Sequence, residues 1–322
     1  MINADSVVVV DEITTASKDY KIGRLTLNKP KALNALDLEM AGIMLDALRQ
    51  WQARSDIVAV VIDAAGEKAF CAGGDIVSMY NSMVEAHGEI PAFLETFFET
   101  EYTLDYTIHN YNKPIIVWGS GIVMGGGMGL LCGASHRVVT ENSRLAMPEI
   151  SIGLYPDVGG SYFLPRLPGK SGLFLGLTGG QMNAADAMYV GLADVMVSSA
   201  EKENLLQGLV DYAWNETSSS TLAEAVNTVL SRLQKPETEV QSNIEPNMPL
   251  INELCSANNV SEVVNAILTA DMQGDKWLSR AQSTLAKGSP ITMHLVFEQC
   301  KKGATMSLAD CFRMEADMSC RC

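Results

Sequence analysis

The chain has 322 residues, enough for one large core or two domains, and length alone does not choose between them. Its 23 Lys and Arg against 38 Asp and Glu leave a net charge of −15, which argues against a nucleic-acid partner because phosphate binding needs clustered cations. At 47% hydrophobic, with no apolar run near the ~18–20 residues of a membrane helix, the sequence predicts a soluble, compact protein with no membrane span. An anionic ligand would have to find a local basic pocket on this acidic surface.

Residues 1–13 (MINADSVVVVDEI) lack a basic region and are too acidic for a transit peptide, so the expected location is cytoplasmic. Seven scattered cysteines fit a reducing compartment better than a disulfide framework. Cys320 and Cys322 have no second pair, and the four histidines show no HxxxH or HExxH spacing; metal is not indicated.

Val7–Val10 and Arg24–Leu27 read as strands, followed by a turn-rich loop, Asn28–Ala35, that carries Lys29 and Lys31. Leu38, Ala41, Leu45 and Leu48 repeat at helical spacing toward Arg54. Val58–Ala64 is a continuous apolar strand, expected to be buried on both faces. Gly73 and Gly74 then precede a helical stretch, a pattern that serves either a tight turn or a close approach to a ligand. Glu89–Asn110 reads as a helix with Phe93, Phe97, Leu104 and Ile108 available to the core, and Glu101 lies on it. A glycine cluster follows at Gly125–Gly129, opening a short apolar helix whose first N–H groups face whatever lies before it. Two carboxylates, Glu149 and Asp157, come next, each beside a proline. Amide donors with carboxylates nearby suit a carbonyl whose oxygen becomes negative during reaction.

The alternation of short strands and helices from Arg24 to Val197 implies an α/β fold. Beyond Ala200 the composition changes, and we divide the chain into a core, 1–200, and a mostly helical region, 201–322. Glu216–Ser220 reads as a hinge, and Gln234–Pro249, with three prolines, as an exposed loop. Helices are expected at 251–257, 260–272, 276–287, 291–302 and 307–319, with Ser289-Pro290 and Ser307-x-x-Asp310 as start signals. Gly169-Lys170-Ser171 is no P-loop, because Leu164 holds the position that needs glycine. The Gly125, Gly127, Gly129 spacing is not that of a dinucleotide fingerprint, and no G-x-S-x-G elbow occurs.

Met124–Gly127, Met147–Glu149 and Gly153–Gly160 resemble the enoyl-CoA hydratase/isomerase (crotonase) superfamily, and within it the 3-hydroxyisobutyryl-CoA hydrolase branch. Ala69–Ile76, Leu177–Gly179 and Ala184–Val197 extend the likeness. It implies a spiral of β-β-α repeats followed by helices, and an acyl-CoA ester as substrate. Coenzyme A is then part of that substrate, with no separate cofactor. The N–H groups of Gly74 and Gly126 would form an oxyanion hole, and Lys29 or Lys31 would meet the coenzyme A phosphates. Hydratases of the superfamily use two glutamates; the first position is held here by Gly129 and the second by Glu149. In the hydrolase branch the glutamate matching Glu101 contacts substrate, and Asp157 joins Glu149 at the reacting centre. The resemblance thus implies a thioester hydrolase acting on 3-hydroxyisobutyryl-CoA in valine breakdown, with Glu149 as nucleophile or general base. Hydratase or isomerase activity is the first alternative, and a non-catalytic acyl-CoA-binding subunit the second. A homotrimer is expected by analogy alone.

Overall fold

The computed structural model describes residues 6–214, 219–272 and 274–321. Strand β1 (Val8–Thr14) lies antiparallel to β2 (Lys21–Leu27), and helix α1 (Leu38–Gln52) crosses over to β3 (Ile57–Ala64), which runs parallel to β2. The α1 helix starts where Asp37 accepts a hydrogen bond from the Met40 N–H, and it buries Met40, Met44, Leu48 and Trp51 along one face. Next come β4 (Ala69–Cys71), α2 (Ile76–Glu85) and α3 (Ala92–His109). Then follow β5 (Ile115–Gly119), β6 (Ile122–Met124), α4 (Gly126–Gly133), β7 (His136–Thr140) and β8 (Arg144–Ala146).

After β8 the chain forms a 3₁₀ turn at 149–151, then α5 (Gly160–Phe163), α6 (Ser171–Thr178), α7 (Ala184–Tyr189) and β9 (Val195–Val197). The remainder is helical: α8 (Lys202–Asp211), α9 (Ser219–Leu230), α10 (Ile244–Leu254), α11 (Val260–Thr269), α12 (Lys276–Lys287), α13 (Pro290–Gly303) and α14 (Leu308–Ser319). Six strands form one sheet in the order β1-β2-β3-β5-β7-β9, and β4-β6-β8 form a second, all-parallel sheet. Strands β3, β5 and β7 of the large sheet are each followed by a short strand of the small one, β4, β6 and β8, which is the expected β-β-α spiral.

Every residue of β3 is buried, as expected for a parallel strand covered on both faces; Asp63 interrupts its apolar run and is paired with Arg24 at 2.7 Å and Lys202 at 2.9 Å. One core packs α1, α3 and α4 against the sheet; on the other face α8 and α9 contribute Leu205, Leu209, Val226 and Val229. No helix among the described residues is long and apolar enough to cross a membrane.

Two expectations for the carboxyl-terminal half need comment. The Gln234–Pro249 loop is shorter than expected, because α10 begins at Ile244 and contains both Pro246 and Pro249. Its first amides are satisfied by Asp186 of α7, whose Oδ1 accepts from Asn243 N at 2.6 Å and Ile244 N at 2.9 Å. Pro246 falls in the first turn, where a missing N–H costs nothing. Of the proposed hinge Glu216–Ser220, residues 216–218 lie outside the described residues, and Ser219 already begins α9.

Candidate active site

Because β4, β6 and β8 run parallel, the segments leaving their carboxyl ends emerge side by side. These are residues 72–75, the Gly125–Gly126 turn and Met147–Glu149, motifs separated by up to about 75 positions in sequence. With the 153–158 loop and α3 they enclose a cavity of about 250 Å³. Gly74, Gly126, Glu101, Glu149 and Asp157 all line it, so five of the expected site residues come together. Ile76, Met79, Phe98 and Leu154 supply an apolar wall.

Leu36 bridges this region in parallel with Gly74, through the Gly73 carbonyl and the Asp75 amide. That pairing leaves the Gly74 N–H directed away from Leu36. Gly126 is the first residue of α4, so its N–H has no intrahelical acceptor. The two glycines are close: a methyl group built on Gly126 would lie 3.7 Å from Gly74 N. Gly125, at φ +48° and ψ −119°, makes the turn that brings α4 here, and a side chain on it would meet Glu149 Oε1 at 3.2 Å.

Glu101, Glu149 and Asp157 are 2%, 4% and 5% exposed, and none has an ion-pair partner among the described residues. Burial, then the Asp157 and Glu149 charges, hold the Glu101 carboxyl well above the ordinary range. Burial followed by the Asp157 charge does the same for Glu149, whose Oε2 has no hydrogen-bond partner among the described residues. Asp157 is pushed up only to about 6, because the Tyr102 hydroxyl donates to its Oδ2 at 2.6 Å and opposes the effect of burial. Three acids without a cation cannot all ionise cheaply, so the cavity holds protons and carboxylates together near neutral pH.

Position 129 behaves differently from its neighbours in the cluster. Gly129 sits one turn into α4, facing Asp105 of α3, which is fully buried and has no partner for either carboxyl oxygen among the described residues. Burial, and then Glu101, raise the Asp105 carboxyl well above its ordinary value. Neither Asp105 nor Tyr102 emerged from the sequence. The signal was present in both cases: Tyr102 adjoins Glu101, and Asp105 lies one helical turn beyond it on the same face.

The lysines lie elsewhere. Lys29 is paired with Asp37 at 2.6 Å, and Lys31 is exposed on the following 3₁₀ turn; neither lines the cavity. Arg166 stacks on the Tyr162 ring and donates to the carbonyls of Tyr162, Gly303 and Met306, which accounts for it structurally.

The family model described as enoyl-CoA hydratase/isomerase matches residues 22–322. The chain belongs to the enoyl-CoA hydratase/isomerase family. Among curated members, it is 41% identical over 302 residues to the zebrafish (Danio rerio) protein named 3-hydroxyisobutyryl-CoA hydrolase, mitochondrial. That match covers 94% of this chain and 76% of the zebrafish enzyme. The human protein of the same name is 35% identical, over 93% of this chain and 75% of its own length. Two solved structures superpose over 98% of this chain and 85% of theirs. They are an enoyl-CoA hydratase from Rhodobacter sphaeroides (TM-score 0.83, 32% identity) and a carnitinyl-CoA dehydratase from Mycobacterium thermoresistibile (TM-score 0.84, 33% identity). The cytoplasmic location expected from residues 1–13 is corrected by these relatives, whose hydrolases are named mitochondrial. Scattered free cysteines fit either reducing compartment and do not separate the two.

Proposed function

We propose that the chain is an acyl-CoA thioester hydrolase, converting 3-hydroxyisobutyryl-CoA and water to 3-hydroxyisobutyrate and coenzyme A. The observation that carries this reading is the meeting of the Gly74 and Gly126 amides with Glu149 around one small, mainly apolar cavity. The shared name of the curated relatives supports the substrate. The same reading assigns the reaction to valine breakdown and the enzyme to the mitochondrion.

A thioester carbonyl held between the two amides gains negative charge on oxygen when its carbon is attacked. Losing one such donor costs ~3–4 kcal/mol of barrier. The Glu149 carboxylate either attacks that carbon, giving a mixed anhydride, or takes a proton from a water that attacks instead. In both routes the C–S bond breaks and the coenzyme A thiolate departs with the electron pair, then takes up a proton. Water cleaves the anhydride in the first route and regenerates Glu149. Asp157 orients the water or the substrate hydroxyl, and Glu101 hydrogen-bonds that hydroxyl. Lys31 is a candidate for the coenzyme A phosphates; Lys29 must first leave Asp37 to take that role. A homotrimer, tested by sedimentation, completes the proposal.

A second reading, hydration of an enoyl-CoA, draws on Glu101, which brings another carboxyl into the cavity with Glu149. Against it stands Gly129, which has no side chain with which to move a proton. One assay separates the readings: a panel of acyl-CoA esters followed for free thiol and for enoyl absorbance. Thiol release from the 3-hydroxyisobutyryl ester is expected. Loss of the double bond without thiol would establish a hydratase, and binding without turnover a carrier subunit.

A further inference from the structure

The last described helix reaches the candidate site through a chain of hydroxyls. Tyr102 donates to Asp157 Oδ2 at 2.6 Å, and its own oxygen lies 2.6 Å from Ser319 Oγ on α14. Ser319 Oγ is also 2.8 Å from the Tyr155 hydroxyl, which donates to the Glu315 carbonyl at 3.0 Å. Each hydroxyl owns one hydrogen. Those of Tyr102 and Tyr155 are committed to Asp157 and Glu315, so the single Ser319 hydrogen is shared between the two tyrosine oxygens, with that of Tyr102 the nearer. A phenol that accepts a hydrogen bond becomes a stronger donor through its own O–H.

One turn earlier, Glu315 is fully buried and its two oxygens accept from Gly159 N at 2.7 Å and Ser161 N at 2.8 Å. These amides belong to the turn directly after Asp157. The Asp157 carbonyl in turn accepts from Gly160 N at 2.7 Å. The α14 helix therefore grips both the carboxyl group and the backbone of the acid.

We propose that Ser319 and Glu315 are positioning residues for Asp157: Ser319 sets the Tyr102 hydroxyl that holds the carboxylate, and Glu315 fixes the turn that carries it. This inference rests on the role given to Asp157 above. The titratable groups facing the network are Glu101, Tyr102 and Asp105 from α3, Glu149 from the 3₁₀ turn, Tyr155 and Asp157 from the loop, and Glu315 from α14.

The test uses the full chain and the 3-hydroxyisobutyryl ester, with kcat, KM and the pH dependence of kcat measured for each variant. Removing the Ser319 hydrogen weakens the bond that favours ionised Asp157, so its titration moves upward. Ser319→Ala is expected to lower kcat about three- to tenfold with KM nearly unchanged, and to move the acid limb up by ~0.5 pH unit, the shift expected for one neutral hydrogen bond. Ser319→Thr, which keeps the hydroxyl, is expected to restore the limb. Tyr102→Phe is expected to give a shift at least as large, and adding Ser319→Ala to it no further shift. Glu315→Gln, which offers one acceptor oxygen instead of two, is expected to lower kcat without moving the limb as far.

An unmoved limb in Ser319→Ala, or additive shifts with Tyr102→Phe, would overturn the positioning role. Asp157→Asn distinguishes the two levels. If it hydrolyses the ester like the parent, the reading of Asp157 fails; if it is inactive while Ser319→Ala keeps the parental kcat and pH profile, only the present inference fails. Should Ser319→Ala not fold, Ser319→Cys, which replaces the hydroxyl with a weaker donor, takes its place: a limb moved in the same direction is expected, and an unmoved limb would overturn the role.

Discussion

The carboxyl of Asp105 on α3 occupies the space that a side chain on Gly129 of α4 would need. A Cβ built at position 129 would lie 2.7 Å from Asp105 Oδ2 and 2.7 Å from the Val158 Cβ. Position 129, where the family resemblance would put a hydratase's first glutamate, is thus not an empty slot but the floor beneath a buried acid. Substituting Gly129 with glutamate is therefore expected to destabilise the fold by about 1–3 kcal/mol, as over-packing does, without producing hydration. Combining it with Asp105→Ala is expected to recover part of that loss. Denaturant titration of both singles and the double measures the coupling, and strict additivity would refute the clash.

Glu149→Gln is expected to reduce thiol release by at least ~100-fold, the lower range for loss of a general base, while ester binding persists in calorimetry. Unchanged turnover would remove Glu149 from the mechanism. Single-turnover hydrolysis in ¹⁸O-labelled water, followed by mass analysis of the protein, separates the two routes. Label in Glu149 marks the anhydride; label in the acid product alone, with no acylated protein seen by rapid-quench mass analysis, marks attack by water.

Glu101 and Gly126 are coupled through space, since a methyl group on Gly126 would meet Glu101 Oε1 at 2.5 Å. Glu101→Ala is expected to impair hydroxylated esters about two- to tenfold more than unsubstituted ones, the size of a lost hydrogen bond between uncharged groups. Gly126→Ala is expected to lower kcat for both by displacing an amide donor along with Glu101. Equal loss on both ester classes in Glu101→Ala would indicate damage to the fold instead.

Stability should depend on pH in a direction set by the buried acids. Folding raises the Glu101 carboxyl well above its ordinary 4.5, so the folded protein holds a proton that the unfolded chain releases. The associated stability is complete below about 4.5 and is lost as pH rises through the folded value. Glu101→Gln removes that loss. It is expected to raise Tm by at least ~2 °C at pH 8, with the gain vanishing toward pH 4. His109, held down to about 4 by burial, works in the opposite sense, and comparing variant with parent cancels it. Scanning calorimetry at the two pH values decides: a gain equal at both would exclude Glu101 ionisation as the cause.

Much of the molecule was legible without coordinates because the rules involved are local. Ser289 and Ser307 cap α13 and α14 through the Thr292 and Asp310 amides, as their short-range patterns foretell. Asp275 does the same for α12, whose bounds match the expected 276–287. The glycines at 74 and 126 and the acids at 101, 149 and 157 were legible as motifs, since each sits in a recognisable run of neighbours.

What sequence could not decide is what distant segments do for one another. The small sheet rests on strands of three residues, too short to show a period, and it exists because β4, β6 and β8 find each other across up to about 75 positions. The two prolines inside α10 read as loop until Asp186 supplies acceptors from another helix. Asp105 reads as an ordinary helix residue until α4 presents a glycine to it, and Ser319 as a helix end until two tyrosines reach it. Composition and local pattern determine which residues can carry the chemistry. Only the close packing of parallel strands and crossing helices decides which of them share a wall, because burial and hydrogen-bond partners are properties of neighbours in space.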